Sequence, residues 1–124
     1  MRGVVWLRLE ALVILAGAIL FVWIHPATLP IWLIVLILIA PDIAMAGYAA
    51  GPRIGAVCYN LAHTYAAPVL LAILSYVIDH AGSHGIEAAA FWAIHIAADR
   101  ALGYGLKEPT DFKETHLGRL GQSS

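Results

Sequence analysis

Several residues able to bind a metal or pass a proton stand inside long apolar runs of this sequence: Glu10, Asp42, His63, His95 and Asp99, with Arg100 beside the last. His95 and Asp99 are four positions apart and Asn60 and His63 three apart, so on helices each pair shares a face and can aim at one centre. Two neutral imidazoles and two or three carboxylates make the nitrogen and oxygen shell that suits Zn²⁺, Mn²⁺ or Fe²⁺. A divalent metal held there lowers the pKa of a bound water to about 7, which is hydrolytic chemistry. The ligands expected are Asp42, His63, His95 and Asp99, with Glu10 as fifth ligand or general base and Arg100 as counter-charge or anion grip. The same residues could instead relay protons. They could also hold helices in register, with Glu10 or Asp42 paired to Arg100 and the imidazoles donating to carbonyls.

The elements that must carry these groups are membrane helices. Of 124 residues 61% are hydrophobic and 12% charged, with a mean hydropathy of +0.81, against roughly 25% charged in soluble domains. The chain reads as one integral membrane domain over 1–124, and no nucleic-acid partner is expected. A single cysteine, Cys58, allows neither an internal disulfide nor a CxxC metal site.

Apolar runs of about 4–24, 31–48, 55–78 and 86–106 each approach the roughly 20 residues that cross a bilayer, which predicts an all-α bundle of four transmembrane helices. His25-Pro26 to Pro30, Gly47 to Gly55, and Asp79 to Gly85 separate them, and 107–124 forms a polar tail. The first run carries Arg8 and Glu10 and is too long for a signal-peptide core, so it is expected to remain as a helix. Arg2, Arg8, Arg53, Arg100, Lys107, Lys113 and Arg119 fall on one side if both termini are cytoplasmic, which predicts that topology in the cell inner (plasma) membrane.

Depth brings the chemistry together. At 1.5 Å per helical residue Asp99 lies roughly 12 Å and His95 roughly 18 Å from the Lys107 level, and Glu10 roughly 12 Å from the Arg2 level. Asp42 and His63 stand about as far from Arg53, so four helices send ionisable groups into the cytoplasmic half of the bilayer, where they must face one another. Pro41 removes a backbone donor just before Asp42 and can open the helix there. Asn60, Tyr48, Tyr104 and His116 are expected behind the ligands, and Tyr65 beside them. Arg53 marks topology or grips a lipid phosphate. Gly103-Tyr104-Gly105 is expected to loosen the last helix at the interface. An alanine-rich face at Ala88–Ala90, Ala93, Ala97 and Ala98 permits close helix approach within the bundle or across a homodimer.

The runs PDIAMAGYAAGPRIGAVCYNLAH, HIAADRALGYGLK and DFKETHLG, with RLE in the first span, resemble the bacterial integral-membrane family catalogued as domain of unknown function 4260. The resemblance covers nearly the whole chain and implies that Arg8, Glu10, Asp42, Tyr48, Asn60, His63, His95, Asp99, Arg100, Gly103, Tyr104 and His116 are its positions of interest. Pro41-Asp42, His63-Thr64 and His95-x-x-x-Asp99 with Gly103 are also similar in order to small membrane-bound metal-dependent hydrolases. The chain departs from that pattern at Ala44 and Met45, where a further aspartate and histidine are usual, and has only Asn60 before His63-Thr64. The second resemblance implies a divalent-metal hydrolase acting on a lipid or lipid-linked substrate, with a reduced or altered site.

Overall fold

In the computed structural model, residues 2–78, 83–104, 107–108, 111–115 and 118–119 are described, with side chains over 3–78 and 84–104. The chain runs α1 (Arg2–Ile24), α2 (Ile31–Ile43), a 3-10 segment (Ala44–Ala50), α3 (Pro52–His63), α4 (Ala66–Ile78) and α5 (Ser83–Leu102). Three short strands follow, β1 (Lys107–Glu108), β2 (Asp111–Thr115) and β3 (Gly118–Arg119), as an antiparallel meander against α3. The body is helical as expected, while part of the polar tail is strand.

Apolarity is turned outward. Trp6, Trp23, Ile31 and Ile78 are 71, 83, 79 and 83% exposed, whereas the interior holds Ala11, Ala56, Ala89, Ile96 and Ala97 together with His63 and Glu87. Such an inverted surface is what hydrocarbon, not water, accepts. By length and composition α1 and the continuous stretch Ile31–Ala50 can each cross a membrane, and α3 with α4 makes a third span if the bent pair is one.

Prolines set the breaks. Pro68 can offer no N–H to the Thr64 carbonyl, its i−4 partner, so Thr64 turns extended (φ −97°, ψ 140°) and Ala67 N–H takes that carbonyl at 3.2 Å instead. The run expected as one span over 55–78 is therefore two helices bent by 49°. Pro41 likewise leaves the Ile37 carbonyl without its helical donor, and α2 tightens to 3-10 geometry from Ala44. Gly51, at φ 114°, makes the turn that lets Pro52 open α3. Gly103, at φ 99°, ends α5 in a Schellman motif, with Gly103 N–H on the Arg100 carbonyl at 3.1 Å and Tyr104 N–H on that of Asp99 at 2.8 Å. The last helix thus stops at Leu102, four residues short of the expected span.

α5 is the central element, packed on α1, α4 and α2. Ala89 and Ala97 of its small-residue face are buried within the chain. Its pairing with α1 is pinned at both ends. At one end Arg8 Nε donates to the Ala101 carbonyl at 3.0 Å. At the other the buried Glu87 carboxylate accepts from Thr28 N–H at 2.9 Å, Thr28 Oγ1 at 2.7 Å and Leu29 N–H at 3.1 Å, and His84 Nδ1 lies 3.2 Å from the same hydroxyl. Sequence reasoning passed over Glu87, whose three donors come from the loop between α1 and α2. Replacing it with alanine strands those donors and should lower stability by about 2 kcal/mol, read as a fall in thermal midpoint in detergent; an unchanged midpoint would show that the loop is held by other contacts.

Candidate metal centre

Four side chains from α2, α3 and α5 meet inside the bundle: Asp42, His63, His95 and Asp99, each with a donor atom within 4.8 Å of the others. His63 is the last residue of α3, set at the break that Pro68 imposes, and Asp42 follows the proline that tightens α2. His95 and Asp99 share a face of the continuous α5. Two interrupted helices therefore offer their ligands to a regular one.

The distances are nearly uniform. His63 Nε2 lies 3.2 Å from Asp42 Oδ1, 3.4 Å from Asp99 Oδ2 and 3.2 Å from His95 Nε2. His95 Nε2 lies 3.2 Å from Asp42 Oδ1 and 3.3 Å from Asp99 Oδ2. These are five edges of a four-cornered figure. A tetrahedral ion with bonds of about 2.0–2.1 Å has ligand-to-ligand edges of about 3.3–3.4 Å, so the spacing suits a divalent metal.

The ring orientations carry the same message. His63 Nδ1 donates to the Tyr59 carbonyl at 2.9 Å and His95 Nδ1 to the Leu38 carbonyl at 2.6 Å. A carbonyl can only accept, so in each neutral ring the proton is on Nδ1 and the Nε2 lone pair faces inward. Backbone carbonyls behind metal-bound histidines fix tautomer and ring plane in this way. With both rings neutral, the centre presents two imidazole lone pairs to two carboxylate oxygens, an arrangement that calls for a cation, a metal ion or a proton, between them. A proton on one imidazole can lie along only one edge; a metal ion answers all four groups together.

The support behind His63 is extensive. Tyr59, 2% exposed, stacks on the His63 ring at 3.8 Å between centroids and 6° between planes. The carbonyls freed where α3 ends are taken by α5: Trp92 Nε1 donates to Ala62 O at 2.6 Å and Arg100 Nη2 to His63 O at 3.0 Å. Arg100 thus also positions a ligand-bearing helix end. The Asp42 side chain is 51% exposed against 3% for His63, so the centre is open on the Asp42 side.

Other expected residues fall elsewhere. Glu10 is exposed on α1 and is not one of the four. Arg53 is exposed in the first turn of α3, and Tyr104 is exposed after α5. Asn60 is half-buried on α3, and the Tyr48 ring lies over Gly55. His116 lies outside the described residues. Trp92, one turn before His95 on the same face of α5, supports the centre by holding the Ala62 carbonyl.

The family described as domain of unknown function (DUF4260) matches residues 4–120. The chain belongs to this family. The match spans every element named above, so the four-residue centre lies inside the DUF4260 domain. No curated protein and no solved structure matches this DUF4260 chain.

Proposed function

We propose that the chain is a four-span protein of the cell inner membrane, with both termini cytoplasmic, that holds one divalent metal ion between Asp42, His63, His95 and Asp99. In this reading α3 and α4 together form one span and α5 another, and the basic residues gather at the cytoplasmic end. The observation that carries the metal is the convergence of the two Nε2 atoms and two carboxylate oxygens, each nitrogen 3.2–3.4 Å from both oxygens and 3.2 Å from the other nitrogen. Zinc suits the nitrogen and oxygen set and the edge lengths; manganese or iron suits the donors as well.

When bound, such a metal supplies Lewis-acid polarisation and water activation, the chemistry of hydrolysis. The substrate class is a lipid or lipid-linked ester or phosphate, because the centre lies among helices whose outer faces are apolar and its exposed side is at Asp42. Arg100 is placed to hold an anionic group near the centre. Protein in vesicles should release product from fluorescent glycerolipid esters or phosphates only when metal-loaded, and Asp99→Asn should remove that activity. Metal retained at one ion per chain with no turnover on any of these lipids would contradict the hydrolase and leave a closed structural site, a second reading that four protein donors also support.

Passage of protons or ions, a third reading, needs a polar route from the centre to the Glu87 end. The 250 Å³ cavity on that side of the centre is lined by Ile37, Pro41, Ala62, Leu71, Ala88 and Trp92. Those walls favour a site over a path.

A further inference from the structure

A second feature of the bundle lies beside the metal centre and shares Arg100 with it. Between α1, α4 and α5 runs a groove of 360 Å³ whose walls, among them Ile14, Phe21, Ala90 and Ala93, are apolar. Tyr65 lines the end of it nearest the helix break, and its hydroxyl is buried with no hydrogen-bond partner among the described residues. The Arg100 guanidinium lies over the Tyr65 ring, 5.2 Å from its centroid. Arg100 is half-buried and uses one nitrogen on the His63 carbonyl; no carboxylate among the described residues is in ion-pair range of it.

We propose that this groove binds one anionic phospholipid, with a phosphate oxygen held by Arg100 and Tyr65 and an acyl chain along the apolar walls. A guanidinium presents a fork of donors that matches phosphate, and a phenol adds one more. A buried hydroxyl without a partner and a half-buried guanidinium in no ion pair among the described residues, with Asp99 only within longer electrostatic reach, are both answered by the same headgroup. Glu10 of α1 is also within electrostatic reach of Tyr65, but it is exposed, so it sets the rim of the site and not its floor. The walls select a lipid over a free anion, since two helical turns of α5 from Ile86 to Ala93 offer nothing polar to the ligand. The site stands whether or not the metal centre is filled.

Delipidated protein in neutral detergent, followed by native mass spectrometry, provides the test. Wild-type protein should retain one phosphatidylglycerol per chain at least about tenfold more tightly than diacylglycerol, which lacks the phosphate, the scale of one charge-assisted hydrogen bond. Tyr65→Phe should weaken that preference, and Ala90→Phe, which fills the groove, should remove the bound lipid, while both keep the wild-type metal content. On unaltered protein a phosphatidylglycerol with a diazirine in its acyl chain should label α1, α4 and α5 peptides that line the groove. Equal retention of the two lipids, labelling elsewhere, or displacement by inorganic phosphate alone as readily as by phosphatidylglycerol would overturn the proposal.

Discussion

Asp99→Asn is expected to strip the centre of its metal. The change keeps shape and size but replaces a carboxylate that stands 3.4 and 3.3 Å from the two imidazoles with a neutral amide. Affinity should fall by at least about a hundredfold, since even residues behind metal ligands act on a ten- to hundredfold scale. Because a ligand that binds only the folded state stabilises it, by about 4 kcal/mol at a thousand times its dissociation constant, chelation should lower the thermal midpoint of the wild-type protein by several degrees. Asp99→Asn and His95→Ala should begin at the lower midpoint and ignore the chelator. A wild-type protein indifferent to chelation, or an Asp99→Asn protein as sensitive as wild type, would point to a polar cluster that merely holds the helices.

The second large effect is expected at Gly55. A Cβ added there would run into one edge of the Tyr48 ring, at Cγ, Cδ1 and Cε1, so the 3-10 segment or α3 must move. Gly47 makes the neighbouring contact, where a Cβ would sit 2.8 Å from the Cys58 side chain. Overpacking of this kind costs about 1–3 kcal/mol, and Gly55→Ala should reach the upper end because backbone, not a side-chain tip, has to yield. In a Tyr48→Ala background, which removes Cγ and the ring, adding Gly55→Ala should cost little further midpoint. If Gly55→Ala alone melts like wild type, the close approach of these two segments is not tight.

The pattern of what could be read in advance follows from the physics of the solvent. Burying a charge in hydrocarbon is costly enough that Asp42, His63, His95 and Asp99 could be expected to face one another from spacing and depth alone, and they do meet. Helix punctuation was readable only in part: a loosening was expected at Gly103-Tyr104-Gly105, and the helix in fact ends there, at Leu102, rather than running to 106. Glu10 is not one of the four, because depth along a helix does not fix where its side chain points; it is exposed and lies toward Tyr65. The break at Thr64 was missed because hydropathy runs smoothly through Pro68; the proline acts through one absent donor, not through polarity. Glu87 was missed because its donors, two backbone N–H groups and the Thr28 hydroxyl, lie nearly sixty positions away in a loop. The pairing of Arg100 with a carbonyl of a broken helix was hidden by distance along the chain as well. Strands in the tail carry too few residues for an alternating pattern to stand out.

The account rests on a metal ion between Asp42, His63, His95 and Asp99, and elemental analysis of protein purified without chelators addresses that directly. The expected result is one equivalent of a divalent transition metal per chain in the wild-type protein, falling to background in Asp99→Asn and His95→Ala. Wild-type protein that carries no stoichiometric metal, and takes up none when zinc, manganese or iron is supplied, would contradict it.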